Sequence, residues 1–556
     1  MRRALGRETL GTMARGALPG PALLAADSAT VFDGVLLAEV MASDRVPSVV
    51  PSPWPALGKQ PLGVKRGRVV GGDIRLRWSD VDWTSQPDDA ALPNTHFPGR
   101  LGEWSLERAI PLTPGAERRV ALSVAALGVM NADGRGDAFA DTLAVDGYPV
   151  RVSLLPSRAA TYGQARTLFD GVGVGWRTQG ETLRLLARDA AYRLSVPMLG
   201  LYGGVGGPEG TAALAGQPIM EIYGTVRTVT PQLVDPARLI YRIHARQADA
   251  LLAVYDAGAP VTAGVDRGGY GALEGTAPAA GFYDWALTST GSFFRLGSAP
   301  SGEVLFDARG DVQGGVFASS LPAIMRRILT RFDATISAAA WDSAEVWAPG
   351  AAGIVLADLV SVGEAVSRVA AGGALYWGDD GTGVITLGRL AIPSPAPGLL
   401  FDVRNITGEV EELDPAPVYW RVRAGWRRNW TTLTATDLVA PPTITEARRL
   451  ELTQPQRVVA VADAPRRQQY RQAEELILDT LYDDEASAVG LAENLLDLYA
   501  PGRRVYRVPT GVGGYGAPLG QTVRLDWPRL GLNGGRNARV LGQVARGSRV
   551  DLLVVG

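Results

Sequence analysis

Short segments in which apolar and polar residues alternate recur along this chain, and turn-forming residues separate them. Residues 74–83 (IRLRWSDVDW) and 418–430 (VYWRVRAGWRRNW) show this period of two, which is typical of strands with one buried face. The 556 residues include 68 glycines and 37 prolines without a collagen-like period, which indicates many turns between short strands. The sequence therefore predicts a mainly β protein with α+β inserts.

A chain of 556 residues is too long for one compact core, so we expect several domains. The pattern predicts an amino-terminal arm, two β-barrels that flank a β-rich insert and an α+β domain, and a helical insert near 470–499 inside the second barrel. The predicted bounds are 1–65 for the arm, 66–200 for the first barrel, 201–318 for the β-rich insert, 319–395 for the α+β domain and 396–556 for the second barrel.

Three helices are predicted from capping residues and helical spacing. The first follows Ser320, which has the side chain of a typical N-cap, and runs to about residue 331. The second spans 358–371, and the third follows Asp484 and stops at Pro501.

Composition argues against several classes of function. The chain has no cysteine, which excludes disulfides, thiolate metal sites and cysteine nucleophiles, and only two histidines, His96 and His244. The net charge of −2 gives no general attraction to nucleic acid or acidic surfaces. No uncharged apolar run is long enough for a transmembrane helix. We therefore expect no membrane anchor, no cofactor and no metal, and a protein that is not an enzyme.

Three local patterns have a chemical alternative that we weigh against a plain structural one. Asn131, Asp133 and Asp137 carry oxygen ligands with a spacing that suits calcium, but a hairpin turn explains them as well. Residues 511–516 (GVGGYG) have dinucleotide-motif spacing, but a strand follows them, which favours a mobile hairpin loop. The acidic groups 379–380 and 483–485 offer glycosidase-like pairs, but they fall at predicted turns and helix starts, where carboxylates are common.

The alternating segment 418–430 is the most unusual part of the sequence. Its period puts the tryptophans on one face and the arginines on the other: Trp420, Trp426 and Trp430 against Arg421, Arg423 and Arg427. Arginines interleaved with aromatic residues are able to hold single-stranded nucleic acid. We favour the interpretation that this segment is a strand with its tryptophans inside the protein and its arginines at a subunit interface. The aromatic-rich block 269–289 is a candidate exposed loop for carbohydrate binding, with an anchor at a subunit contact as the alternative.

Five segments, taken in order, resemble the tail-tip hub proteins of long-tailed bacteriophages and of gene transfer agents. They cover much of residues 70–556: GVMNADGRGDAF followed by DGYPVRV (128–152), ETLRLLARDAAYRLSVPM (181–198), YGTVRTVTPQLVDPARLIYRIH (223–244), FRLGSAPSGEVLFDARG (294–310) and LGQTVRLDWPRLGLNGGRNARVLGQ (519–543).

This resemblance implies a structural subunit of the virion, in the tail tip or baseplate. It implies a homotrimer in which each subunit gives two similar β-barrels to a pseudo-sixfold ring. The expected partners are the tail tube, the distal tail protein, the tape-measure protein, and fibre or spike proteins, with possible passage of DNA through the lumen. A carbohydrate-binding or receptor-binding baseplate module is the alternative, and a tail-associated cell-wall hydrolase is a third hypothesis that the shortage of histidine disfavours.

Overall fold

The computed structural model describes residues 34–44, 74–112, 119–124, 127–439 and 443–556. Strands make up 42% of the structure and helices 19%, which confirms the prediction of a mainly β, multidomain protein. Within the described ranges, no helix has both the length and the apolar character needed to cross a membrane.

The first large sheet, here called the amino-terminal sheet, is antiparallel throughout. Its strands lie in this order, with Leu143–Ala144 added beside the second: Ile74–Ser79, Val35–Asp44, Pro149–Leu155, Arg166–Gln179, Thr182–Asp189, Leu127–Met130 and Leu101–Glu103. Val35–Asp44 falls within the predicted arm, yet it lies between two partner strands, and its apolar side chains other than Met41 are buried. The rest of that arm lies outside the described residues, apart from residue 34. The small pair Trp83–Thr84 and His96–Phe97 and the helix Asp137–Thr142 complete this part.

The second large sheet, the carboxy-terminal sheet, contains two strands from far away in the sequence. Six of its strands pair in this order: Leu399–Phe401, Thr522–Leu525, Arg536–Arg546, Arg549–Val555, Val505–Thr510 and Glu411–Glu412. Ser105–Ala109 pairs with Arg536–Arg546 on one side and with Ala121–Val124 on the other. Only the buried Trp104 separates this strand from Leu101–Glu103 of the amino-terminal sheet. One continuous stretch of chain therefore ties the two sheets together.

The two large sheets share a single hydrophobic core. Buried side chains of the amino-terminal sheet, such as Ala38 and Val152, belong to the same cluster as Val540 and Leu552 of the carboxy-terminal sheet. Within the described residues, the two separate hub barrels that the resemblance implies are not confirmed. The reason is physical: a period of two fixes which face of a strand is buried, but not which sheet the strand joins.

A sandwich of two five-stranded sheets, here called the insert sandwich, follows the amino-terminal sheet in the chain. One sheet has the order Ala259–Pro260, Ala250–Asp256, Val304–Arg309, Glu221–Val229, Gly353–Leu356, and the other Gln232–Asp235, Ile240–His244, Gly291–Leu296, Phe282–Thr288, Thr262–Asp266. Their facing side chains form one core that includes Val226, Val254 and Phe294. Block 269–289 is not an exposed aromatic loop: it forms the helix Tyr270–Gly275 and the strand Phe282–Thr288, because Tyr270 and Tyr283 pack against phenylalanines of the core.

The α+β part packs three helices around a short hairpin. The helices are Leu321–Arg331, Ala338–Trp347 and Val362–Ala371, and the hairpin strands are Leu375–Asp379 and Ile385–Arg389. The Ser320 side chain accepts from the backbone N–H of Ala323, as predicted. The helix predicted from residue 358 begins only at Val362, because Ser361 is the residue that caps it.

A three-stranded sheet interrupts the carboxy-terminal sheet in the sequence. Its order is Arg457–Ala462, Tyr419–Trp426, Glu474–Asp479, and the helix Glu485–Tyr499 packs on one face. Asp484 caps that helix by accepting from the Ser487 N–H at 2.8 Å, as predicted. The shorter helices Glu446–Thr453 and Ala464–Gln469 lie in its connections. The alternating segment 418–430 therefore does not belong to a second barrel, since its strand is the centre of this separate sheet.

Candidate interaction surface

The two faces of strand Tyr419–Trp426 have opposite environments. Val422, Ala424 and Trp426 are buried against the helix Glu485–Tyr499. Trp420, at the start of the strand, is half-buried, and the guanidinium of Arg467 lies 4.4 Å from the centre of its ring. The predicted separation of aromatic and basic side chains holds along the strand itself.

The opposite face of the three-stranded sheet is open to solvent. We call it the open face, and it consists of Arg421, Arg423, Val458, Ala460, Ala462, Glu475, Ile477 and Asp479, which share one side by strand register. Arg421 Nη1 lies 3.3 Å from Glu475 Oε1, whereas no carboxylate of the described chain lies within 4 Å of the Arg423 guanidinium. Ile477 and Val458 are 65% and 50% exposed, so the face is apolar at its centre, and its two arginines and two carboxylates include one arginine, Arg423, without a paired carboxylate among the described residues.

Both outer strands of this sheet have a free edge. Arg457–Ala462 and Glu474–Asp479 each pair only with the central strand within the described structure. Unpaired backbone N–H and C=O groups along an edge are a template for a strand of another chain. The open face and its two edges are therefore able to accept either a packed sheet or an added strand.

Arg427 and Trp430 lie away from the open face, at the junction with the insert sandwich. Arg427 has a φ of 50°, which turns the chain out of the strand, and its Nη2 lies 3.7 Å from Glu451 Oε1. The backbone N–H of Trp430 then donates to the Arg227 carbonyl at 3.2 Å. Of the six candidate residues, the structure brings only Arg421 and Arg423 together on the open face, with Trp420 beside them.

A buried polar cluster, which the sequence reasoning missed, joins the insert sandwich to the helix Leu321–Arg331. We call it the joint cluster; its members are Glu221, Tyr223, His244, Arg246, Asp311, Arg327 and Arg331. Asp311, 2% exposed, accepts from Arg246 and from Arg327 at 2.7 Å each. Both oxygens of Glu221 accept from Arg331 Nη1, at 2.8 and 2.7 Å. The only sequence signal was an acidic residue, Glu221, inside an apolar strand, since its bidentate partner Arg331 is 110 positions away.

His244 occupies the centre of the joint cluster and is fully buried. Its Nδ1 accepts from the Ile222 N–H at 3.0 Å, which fixes the proton of the neutral ring on Nε2, 3.5 Å from Asp311 Oδ1. Burial lowers the pKa of His244, and the hydrogen bond and negative charge of Asp311 offset only part of that effect. For Asp311, burial opposes ionisation, but His244 and Arg246 outweigh it and hold its pKa below the ordinary value.

Acidification is expected to destabilise the protein through His244. Because its folded-state pKa is lowered, the unfolded chain binds the proton more readily once the pH falls below about 6.5. As the pH decreases from about 6.5 to the folded-state pKa of His244, the free energy of unfolding should fall by at most about 1.4 kcal/mol per pH unit. Urea unfolding between pH 7.5 and 5 measures this. His244→Gln should flatten the profile, and His96→Gln, at a largely exposed position, should leave it as in the wild type; identical profiles for all three proteins would refute the assignment.

The candidate calcium residues bind other protein groups instead. Arg100 Nη1 donates to Asp133 Oδ1 at 2.9 Å, and the Asn131 amide donates to Asp137 Oδ1 at 2.7 Å. Among the described residues, no group of three or more acidic or histidine side chains is placed to hold a metal ion. The turn at 131–136 leads into the helix Asp137–Thr142 rather than directly into a strand.

The glycine-rich segment Gly511–Gly516 is an ordered turn, not a mobile hairpin loop. Residues Val512–Gly516 form a 3₁₀ turn, and the side chain of Tyr515 is buried in the shared core. The Tyr515 hydroxyl donates to the Gly547 carbonyl at 2.7 Å, and this aromatic anchor is what orders the glycines around it.

The two acidic groups have structural roles, as predicted from their positions. Asp379 accepts from the N–H groups of Gly381 and Gly383 in a turn. Asp483 pairs with Arg227 at 2.9 Å, and Asp484 caps its helix. Each of these carboxylates is therefore already used in holding local structure.

Comparison with known proteins gives matches among solved structures only. No family model and no curated protein matches the chain. The tail protein from Neisseria meningitidis MC58 is 8% identical, with 84% of this chain and 95% of that chain covered and a TM-score of 0.38. The 43 kDa tail protein of prophage MuSo2 from Shewanella oneidensis is 9% identical (83% and 95% covered, TM-score 0.36). A chain of the virion of a native gene transfer agent particle is 15% identical (61% and 84% covered, TM-score 0.40).

Proposed function

We propose that this chain is a structural subunit of a bacteriophage tail tip or baseplate, or of the matching part of a gene transfer agent. In that role it connects the tail tube and the distal tail protein to tip, spike or fibre proteins, and it is located in the virion. The ordered motifs across residues 128–543 support this proposal, and each motif includes at least one strand, in whole or in part, of the two large sheets or the insert sandwich.

The open face with its two free edges is the observation that carries the proposal. A subunit that works by assembling needs a surface on which other chains can pack or pair. Exposed Ile477 and Val458 supply apolar contact area, and the uncompensated charge of Arg423 supplies orientation. We infer that this face is the contact between copies in a homotrimer, which leaves the tape-measure protein and DNA as partners of other surfaces.

Reversing the charge of the open face is expected to disrupt the trimer. The wild-type chain should sediment at three times the subunit mass of 58.7 kDa. The Arg421→Glu/Arg423→Glu protein should self-associate at least about tenfold more weakly, because the open face would then present only carboxylates to the neighbouring copy, with no cation left to orient it. Arg135→Glu, at a position whose side chain is 79% exposed on another part of the molecule, is the matched control and should remain trimeric.

A wild-type chain that stays monomeric at all concentrations would contradict the trimer. A double variant that associates as tightly as the wild type would instead contradict the assignment of the open face. The carbohydrate-binding alternative receives no support from the block 269–289, whose helix and strand pack on the insert sandwich.

A further inference from the structure

A cavity of about 180 Å³ lies beside the helix Glu485–Tyr499, where it approaches the end of the helix Ala338–Trp347. The polar side chains that line it belong to Arg389, Tyr482, Ser487 and Asn494, and Trp347 forms an aromatic wall. Pro349 and Gly490 also line it and are exposed, so the cavity opens to solvent between them. Its volume suits a group of a few non-hydrogen atoms.

The described part of the chain places a cation, Arg389, in the cavity and no acidic side chain opposite it. Arg389 lies 5.0 Å from the centre of the Trp347 ring, and its Nη1 is 3.4 Å from the Trp347 carbonyl oxygen. No acidic residue lines the cavity, and no carboxylate in the described parts of the chain lies within 4 Å of this guanidinium. A half-buried arginine with free donors is a strong and geometrically selective partner for a carboxylate.

Tyr482 adds a second donor. Burial raises the pKa of Tyr482 to about 12, and the nearby Asp484 adds to the rise while Arg389 opposes it. The phenol therefore stays protonated at neutral pH. Tyr482 as a whole residue is 5% exposed. Among the residues that the structure describes, none accepts a hydrogen bond from its hydroxyl. The hydroxyl is free to donate to a group in the cavity.

Gly490 keeps the mouth of the cavity open. It lies inside the helix Glu485–Tyr499, where glycine is less favourable than alanine. A Cβ built at this position would meet no atom within 4 Å, so close packing does not require glycine there. Because glycine has no side chain, the entrance of the cavity stays free at this position.

We propose that this cavity binds a carboxylate group, held by the Arg389 guanidinium and the Tyr482 hydroxyl with its stem along the Trp347 ring. The carboxylate belongs either to a small free acid or to a Glu or Asp side chain of another protein. The cavity is separate from the open face, and carboxylate binding there does not depend on the assembly role proposed above.

Titration calorimetry of the full-length chain tests this with four probes at constant ionic strength: acetate, propionate, N-acetyl-glutamate amide and the neutral isostere acetamide. The carboxylates should bind and acetamide should not. Arg389→Gln should weaken carboxylate binding by about tenfold to hundredfold, the usual effect of removing a charged hydrogen-bond partner. Gly490→Leu should weaken it as well by filling the entrance while leaving Arg389 in place, and Arg368→Gln, outside the cavity, should bind as the wild type.

Binding of propionate but not of the glutamate amide would identify a free acid as the ligand, and the reverse would identify a protein side chain. Both results support a carboxylate site. Equal affinity for acetate and acetamide, no heat from any carboxylate with the wild-type chain, or full affinity in folded Gly490→Leu would each overturn it.

Discussion

Replacing Asp311 with asparagine is expected to lower the free energy of unfolding by about 3–5 kcal/mol, the usual cost of removing one partner from a buried ion pair. Among the described residues, Asp311 is the only carboxylate within 4 Å of Arg327, and it lies at 2.7 Å from both Arg327 and Arg246. The neutral amide keeps the shape but leaves both guanidiniums without this charge in a buried site. Urea unfolding followed by tryptophan fluorescence measures the loss.

An exposed ion pair provides the matched control for that experiment. Arg507 Nη1 lies 2.7 Å from Glu411 Oε2, but the two side chains are 51% and 57% exposed. Glu411→Gln should therefore change the free energy of unfolding by less than about 1 kcal/mol. If Asp311→Asn cost no more than this control, the joint cluster would not be what holds the insert sandwich to the helix Leu321–Arg331.

Leu106→Pro is expected to unfold the carboxy-terminal sheet, although residue 106 lies more than 400 positions before that sheet's last strands. Leu106 is 3% exposed, and its strand is paired on both sides. Proline in the interior of a sheet removes a ladder hydrogen bond and leaves the partner carbonyl without its donor, at a cost of about 1–3 kcal/mol. Hydrogen–deuterium exchange should show faster exchange throughout Arg536–Arg546 and Arg549–Val555.

Leu106→Val separates the backbone effect from the loss of side-chain volume. Valine keeps the N–H and should cost less than about 1.5 kcal/mol, with protection of both strands retained. Unchanged protection of Arg536–Arg546 in Leu106→Pro would show that the two large sheets fold separately, against the shared core described here.

Local signals in the sequence predicted local structure well. The side chains of Ser320 and Asp484 cap helices where the sequence placed them, because capping depends on residues within one turn. The alternation in 418–430 correctly separated Val422 from Arg421, since a period of two needs only neighbouring residues. The same alternation failed at Arg427, where a positive φ ends the strand.

Contacts between distant residues were beyond the reach of the sequence pattern. No local period indicates that Ser105–Ala109 joins a different sheet from the strand just before it, or that Val35–Asp44 is paired on both sides inside a sheet. The joint cluster is a similar case: Glu221 meets Arg331 across 110 positions, and only the folded chain brings them together. Strand pairing and buried ion pairs are set by packing of the whole fold rather than by the residues next to them.

The central claim, that this protein is a structural subunit at the tail tip, is tested most directly by locating it in particles made by the host that encodes it. Purified particles would be labelled with an antibody against the full-length chain and imaged by electron microscopy. We predict that the label lies at the end of the tail distal to the head in intact particles and is absent from particles lacking the gene. Label found only in the soluble fraction, with normal tails in particles lacking the gene, would contradict the claim.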